Sequence, residues 1–93
     1  MEIKRAENIF YIGNSEKDNL ARLVYHHVSK NIVSADETYV SESLRGQGIA
    51  RRLLDAFVEF VRKEEYLVIP HCSYVESVLS NNDEYKDIVL TEN

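Results

Sequence analysis

The chain has one cysteine, one proline, three glycines and no tryptophan in 93 residues. A lone Cys72 excludes an intrachain disulfide, and with it the disulfide-stapled secreted scaffolds. So few glycines and prolines exclude collagen-like and low-complexity chains, and no internal repeat occurs. No apolar run is long enough to span a bilayer. The segment Met1-Glu2-Ile3-Lys4-Arg5-Ala6-Glu7 lacks the apolar stretch of a secretory signal, so a cytoplasmic location without a membrane partner is expected. Positive charge is also scarce: 11 Lys and Arg against 16 Asp and Glu leave a net charge of −5. That balance excludes a general nucleic-acid binder, which needs a basic face. No Cys/His spacing matches a zinc site, and His26 and His27, adjacent on a strand, point to opposite sides, so no metal is expected.

What remains is an ordinary globular composition, 44% hydrophobic and 29% charged, over a length that suits one domain, 1–93. A chain of this size buries roughly 60–65% of its unfolded surface, enough for one core. The tyrosines, six in number, are expected to pack in that core. Ile3–Glu7 and Ile9–Gly13 read as short strands or one bent strand, and Asn14–Asn19 as a polar turn. Leu20–Val28 is a strand with Ala21, Leu23 and Tyr25 on one face and Arg22, Val24 and His26 on the other. After the short connection Ser29-Lys30-Asn31, Ile32–Val40 is a strand rich in β-branched residues. Short loops between successive strands predict an antiparallel meander.

The period then changes. Ile49, Leu53, Phe57, Phe60 and Val61, widened by Leu54 and Val58, recur at spacings of three and four and predict a helix from Gly48 to Glu64. Arg51 with Asp55 and Glu59 with Lys63 are i,i+4 pairs on its exposed side. Tyr66-Leu67-Val68-Ile69 reads as a central strand covered on both faces and ended by Pro70, parallel to the strand ending near Val40. Ser73–Leu79 forms a short second helix stopped by Asn81-Asn82-Asp83, and Tyr85, Ile88, Val89 and Leu90 pack back as a last strand or turn. The fold class is α+β: antiparallel meander, helix, parallel strand, short helix.

The run Ser43-Leu44-Arg45-Gly46-Gln47-Gly48-Ile49-Ala50-Arg51-Arg52 joins a strand to that long helix. The first N–H groups of a helix have no internal partners, and the helix dipole adds positive potential there. Glycines let the main chain approach a phosphate closely. Arg45, Arg51, Arg52, Arg62 and Lys63 gather the scarce positive charge around this helix. Together these features suit a small anionic ligand.

Arg45-Gly46-Gln47-Gly48-Ile49-Ala50 resembles the acyl-CoA signature Gln/Arg-x-x-Gly-x-Gly/Ala of the GNAT acyltransferases, in the strand–turn–helix context that signature occupies. With Glu37-Thr38-Tyr39-Val40 upstream and Pro70-His71-Cys72-Ser73-Tyr74-Val75 downstream, the chain resembles the small single-domain "mini-GNAT" group from about Phe10 to Val89. The resemblance implies that acetyl-CoA or coenzyme A is bound. Backbone N–H groups from Gly46 to Arg51 would hold the pyrophosphate, and exposed backbone of Thr38, Tyr39 and Val40 would pair with the pantetheine arm. It further implies that the parallel strands splay beyond this point to admit the thioester. Two departures stand out. Glu37 replaces the histidine more often found there, and the helices that build much of the acceptor site in larger GNAT domains are missing.

Four side chains are candidates for the chemistry. Cys72 either takes the acetyl group as a thiolate, activated by the helix start and by His71, or lines the pocket. Tyr74 either protonates the departing CoA thiolate, as tyrosines following this strand do in larger GNAT domains, or packs. Glu37 or Asp36 accepts the amine proton, and adjacent strand positions allow only one of them to face the site. Arg51 and Arg52 either reach CoA phosphates or are solvated. The expected activity is transfer of acetyl from acetyl-CoA to a small-molecule or protein amine. The alternatives are a CoA-binding sensor or carrier without fast turnover, and an interaction domain whose loop holds another phosphorylated ligand.

Overall fold

The hydrophobic pattern folds as its two periods require. In the computed structural model, which describes residues 1–90, strands β1 (Lys4–Ala6), β2 (Ile9–Ser15), β3 (Asp18–Ser29) and β4 (Ile32–Val40) form an antiparallel meander. A 3-10 turn over Glu42–Leu44 leads to helix α1 (Ile49–Glu64). Strand β5 (Leu67–Pro70) then pairs parallel to β4, and α2 (Ser73–Ser80) and a 3-10 turn over Asp83–Tyr85 follow. The sheet order is β1-β2-β3-β4-β5. The α+β class and the meander–helix–strand–helix sequence are as expected.

Alternation on β3 puts Ala21, Leu23 and Tyr25 into the core, under α1. From α1, Leu53, Leu54, Phe57 and Val61 are fully buried against them. Phe10, Tyr25, Phe57 and Phe60 form an aromatic cluster with centroid separations of 5.4–6.4 Å. Of the tyrosines, only Tyr25 and Tyr85 are buried; Tyr39 is exposed. The Arg51–Asp55 pair forms at 3.1 Å, whereas Glu59 and Lys63 make no ion pair among the described residues.

Strand β5 corrects an expectation. It is the edge of the sheet, not a central strand, and only Val68 in it is buried. Its outer side is covered at one point by the returning chain: Val68 N–H donates to the Ile88 carbonyl (2.7 Å) and Leu90 N–H to the Val68 carbonyl (2.9 Å). A single bridge, Val68 to Val89, stands where a last strand was an option. An apolar run alone does not distinguish a strand between two strands from an edge strand roofed by a helix and a loop.

Among the described residues no helix crosses the opposite face of the sheet. It presents cross-strand neighbours such as Tyr11, Arg22 and Tyr39, with the Arg22 guanidinium 4.5 Å from the Tyr39 ring centroid.

Candidate functional site

The segment after Val40 turns into α1 through two left-handed residues, Gly46 (φ 82°) and Gly48 (φ 73°). Side chains disfavour this conformation by about 1–2 kcal/mol, which explains glycine at both places. A Cβ built on either glycine would meet nothing within 4 Å, so the backbone of the turn is open to approach at both glycines. Ile49 is buried and fixes the start of the helix to the core. The first helical hydrogen bond runs from Arg52 N–H to the Gly48 carbonyl (3.1 Å). The N–H groups of Ile49, Ala50 and Arg51 therefore have no carbonyl within the helix. No side chain caps them, and the first turn holds no acidic residue. It holds Arg51 and Arg52 instead, whose positive charge has the same sign as that end of the helix dipole. Gln47 is exposed at the tip of the turn.

The basic side chains divide. Arg45 Nε donates to the Val40 carbonyl at 3.2 Å, folding back along β4. Arg51 is held by Asp55 and by the Tyr85 hydroxyl (2.8 Å), and the Asp55 hydrogen bond raises its already high pKa. Arg52 reaches the Met1 carbonyl at 2.9 Å. A groove of about 240 Å³ follows the turn, with Val40, Leu44, Gly48, Ile49, Arg51 and Tyr74 among its walls. Tyr74 therefore stands at the mouth expected for the cofactor. Burial raises its pKa above the ordinary value, against the opposing charge of Arg51, so the phenol stays protonated at neutral pH.

The strands β4 and β5 part where the resemblance requires it. Their pairing runs from Ile32↔Leu67 to Ala35↔Pro70. Pro70 has no N–H to extend the ladder. The last link is from Cys72 N–H to the Ala35 carbonyl (2.8 Å), after which the chain enters α2. From Asp36 to Val40, β4 keeps β3 on one side and, among the described residues, has no strand on the other. Ser41 N–H donates to the Leu20 carbonyl (2.7 Å), and hydrogen-bonding direction alternates along an antiparallel strand. Tyr39 thus turns its backbone to β3, while Thr38 and Val40 turn theirs to the free edge. Of the expected segment, Thr38 and Val40 offer main-chain groups there and Tyr39 does not.

Side chains close in on this opening from both faces. On the helix side, Cys72 Sγ donates to Thr38 Oγ1 at 3.3 Å. On the other face, Ser34 Oγ donates to Asp36 Oδ1 (2.7 Å) and meets His71 Nδ1 at 2.9 Å, while His26 Nδ1 meets Asp36 Oδ2 at 2.5 Å. His71 and Cys72 face opposite ways, so the imidazole expected to activate the thiol is not its partner.

Asp36 and Glu37 carry a second correction. The register passes from Val24↔Glu37 to Tyr25↔Ala35, leaving Asp36 as an extra residue in a bulge. Both carboxylates then lie on the uncovered face, not on opposite ones, since a bulge breaks the strict alternation of a strand. Glu37 Oε2 accepts from Arg22 Nη2 (2.7 Å) and Nε (3.2 Å), so an ion pair already occupies it. Sequence reasoning missed Ser34. A hydroxyl in the apolar run Ile32-Val33-Ser34-Ala35 was the available signal, because a fully buried polar group needs partners.

Residues 9–88 match the family model described as GCN5-related N-acetyl-transferase. Human protein NATD1 is 36% identical over 62 residues, which are 67% of this chain and 55% of that protein; the chain spans about half the length of that relative. The solution structure of a GCN5-like protein from Staphylococcus aureus has 40% identity and a TM-score of 0.81, over 99% of this chain and 90% of that one. A GNAT acetyltransferase from Elizabethkingia anophelis, solved with acetyl-CoA bound, shares the fold at a TM-score of 0.58 and 14% identity, over 78% of this chain and 50% of that one. With the family model covering most of the chain and the glycine turn, parted strands and helix start all in place, the chain belongs to the GCN5-related N-acetyltransferase family.

Proposed function

We propose that residues 1–93 form one N-acetyltransferase-like domain that transfers acetyl from acetyl-CoA to an amine. One observation carries this reading: the unpaired edge of β4 runs directly into an open glycine turn and an uncapped helix end. The pyrophosphate fits the N–H groups from Gly46 to Arg51, and the pantetheine fits the Val40 N–H and the Thr38 carbonyl as an added strand, the Val40 carbonyl being taken by Arg45. The thioester then reaches the opening between β4 and β5. Of the outward-facing N–H groups on β4, that of Thr38 lies nearer this opening than that of Val40 and would polarise the thioester carbonyl.

The amine nitrogen attacks the thioester carbon, the C–N bond forms, and the C–S bond breaks as the intermediate collapses. Tyr74, kept protonated by burial, supplies a proton to the leaving thiolate. Direct attack is favoured over an acyl-cysteine route, because the Cys72 thiol is turned to Thr38 and has no basic partner among the described residues. Glu37, tied to Arg22, is not given the proton-accepting role.

Titration with acetyl-CoA, CoA and ATP, followed by backbone NMR, tests the cofactor half. Shifts at Thr38–Val40 and Gly46–Arg51 are expected for the two CoA compounds only; equal shifts with ATP would point to a general phosphate loop. The uncovered sheet face favours a second reading, a CoA-binding sensor or carrier, because among the described residues no helix there builds an acceptor pocket. Thiol release from acetyl-CoA that rises with added amine supports transfer, and binding without such release supports the sensor.

A further inference from the structure

The polar network on the uncovered face lies outside the groove assigned to the cofactor. Ser34 is fully buried, at 0% exposure, yet it touches two ionisable side chains. We propose that His71 is the proton acceptor for the incoming amine, with Ser34 and Asp36 as positioning residues that fix its imidazole in the Nδ1–H form. This deepens the acetyltransferase reading and rests on it.

The tautomer follows from counting hydrogens. An ionised Asp36 can only accept, and a serine hydroxyl has one hydrogen to give. With Ser34 Oγ at 2.7 Å from Asp36 Oδ1, that hydrogen lies between them. The 2.9 Å contact to His71 must then be donated by Nδ1–H. The opposite assignment would set the Ser34 and Asp36 lone pairs against each other at hydrogen-bond distance. His26 donates to the second Asp36 oxygen, which leaves that carboxylate oriented from both sides. His71 Nε2 keeps its lone pair and has no partner among the described residues. The ring is 63% exposed, on the residue before Cys72, where β4 and β5 part.

An alkylamine reaches the site as an ammonium ion, which has no lone pair for attack. His71 Nε2 takes one proton from it, giving the free amine and an imidazolium that Ser34 and Asp36 stabilise through the hydrogen-bonded chain. The amine nitrogen attacks, the second proton follows the electron pair to the CoA thiolate through Tyr74, and the imidazolium returns its proton to water. Overall, ammonium and acetyl-CoA give amide, CoA thiol and one released proton.

The test is thiol release from acetyl-CoA with spermidine and Nα-acetyl-lysine amide as probes, for wild type, His71→Gln, Ser34→Ala and Asp36→Asn, with acetyl-CoA affinity measured by calorimetry. His71→Gln should bind acetyl-CoA normally and lose about 10²–10⁴-fold in kcat/KM near pH 7. The loss should shrink toward pH 10, where solution supplies free amine. The other groups facing this network are His26 and, beyond it, the Arg22–Glu37 pair; His26→Gln removes one support of Asp36 and should lose activity as Asp36→Asn does, while His27→Gln, exposed and outside the network, serves as the control and should keep most activity. Ser34→Ala and Asp36→Asn should fall between. Imidazole nitrogen NMR should show His71 protonated at Nδ1, with that preference lost in Ser34→Ala. Unchanged turnover in His71→Gln, or a loss independent of pH, would overturn the proposal, as would an Nε2–H tautomer. A wild type that binds acetyl-CoA but releases no thiol with any amine would instead overturn the acetyltransferase reading beneath it.

Discussion

At the scale of single residues, Gly48 separates folding from binding. Its left-handed backbone (φ 73°) faces open space, so Gly48→Ala should cost only about 1–2 kcal/mol of stability, read by thermal melting. Its methyl group would still stand in the turn proposed to hold the pyrophosphate, and on that reading calorimetry should show acetyl-CoA affinity reduced at least about tenfold; Gly48→Glu should abolish it by bulk and charge. Tyr74→Phe should leave that affinity unchanged and lower kcat by about 10²-fold, the scale of a lost general acid. Because burial raises the Tyr74 pKa, the group binds its proton more tightly folded than unfolded. Its contribution to stability is therefore complete below the ordinary tyrosine value of about 10 and is lost as pH rises beyond it. The activity of wild type should hold to the same alkaline range before falling. The glycine turn was legible because chirality permits few other residues there. The contact of Ser34 with His71 was not, since it joins positions far apart in the chain and depends on the register of two strands.

At the scale of elements, α1 and β3 were legible because each buries one face at its own period, 3.6 or 2. Phe57, fully buried among Phe10, Tyr25 and Phe60, is the centre of their contact. Phe57→Ala should cost about 3–5 kcal/mol, measured by denaturant unfolding. The bulge in β4 was not legible, because an extra residue leaves no mark in a sequence whose polar residues, Asp36 and Glu37, suit either face. The edge position of β5 was hidden for a related reason: Val68 is buried in the common core and bonded by the segment at Ile88 as a residue of a central strand would be.

At the scale of the whole molecule, the helices gather on one side of the sheet and leave the other bare. The groove proposed for acetyl-CoA opens on the helix side, at Ile49 and Tyr74, while Ser34, Asp36 and His71 lie toward the bare side. Steady-state rates with both substrates varied should give intersecting double-reciprocal lines, the mark of a ternary complex, and Cys72→Ala should keep turnover within a few-fold of wild type. Parallel lines would signal an acyl-enzyme instead. Under the proposed reading, the gap between β4 and β5 works as a pass-through with separate doors. Neither substrate must leave for the other to arrive, either can load first, and a competitor built on CoA should leave the acceptor's doorway unobstructed.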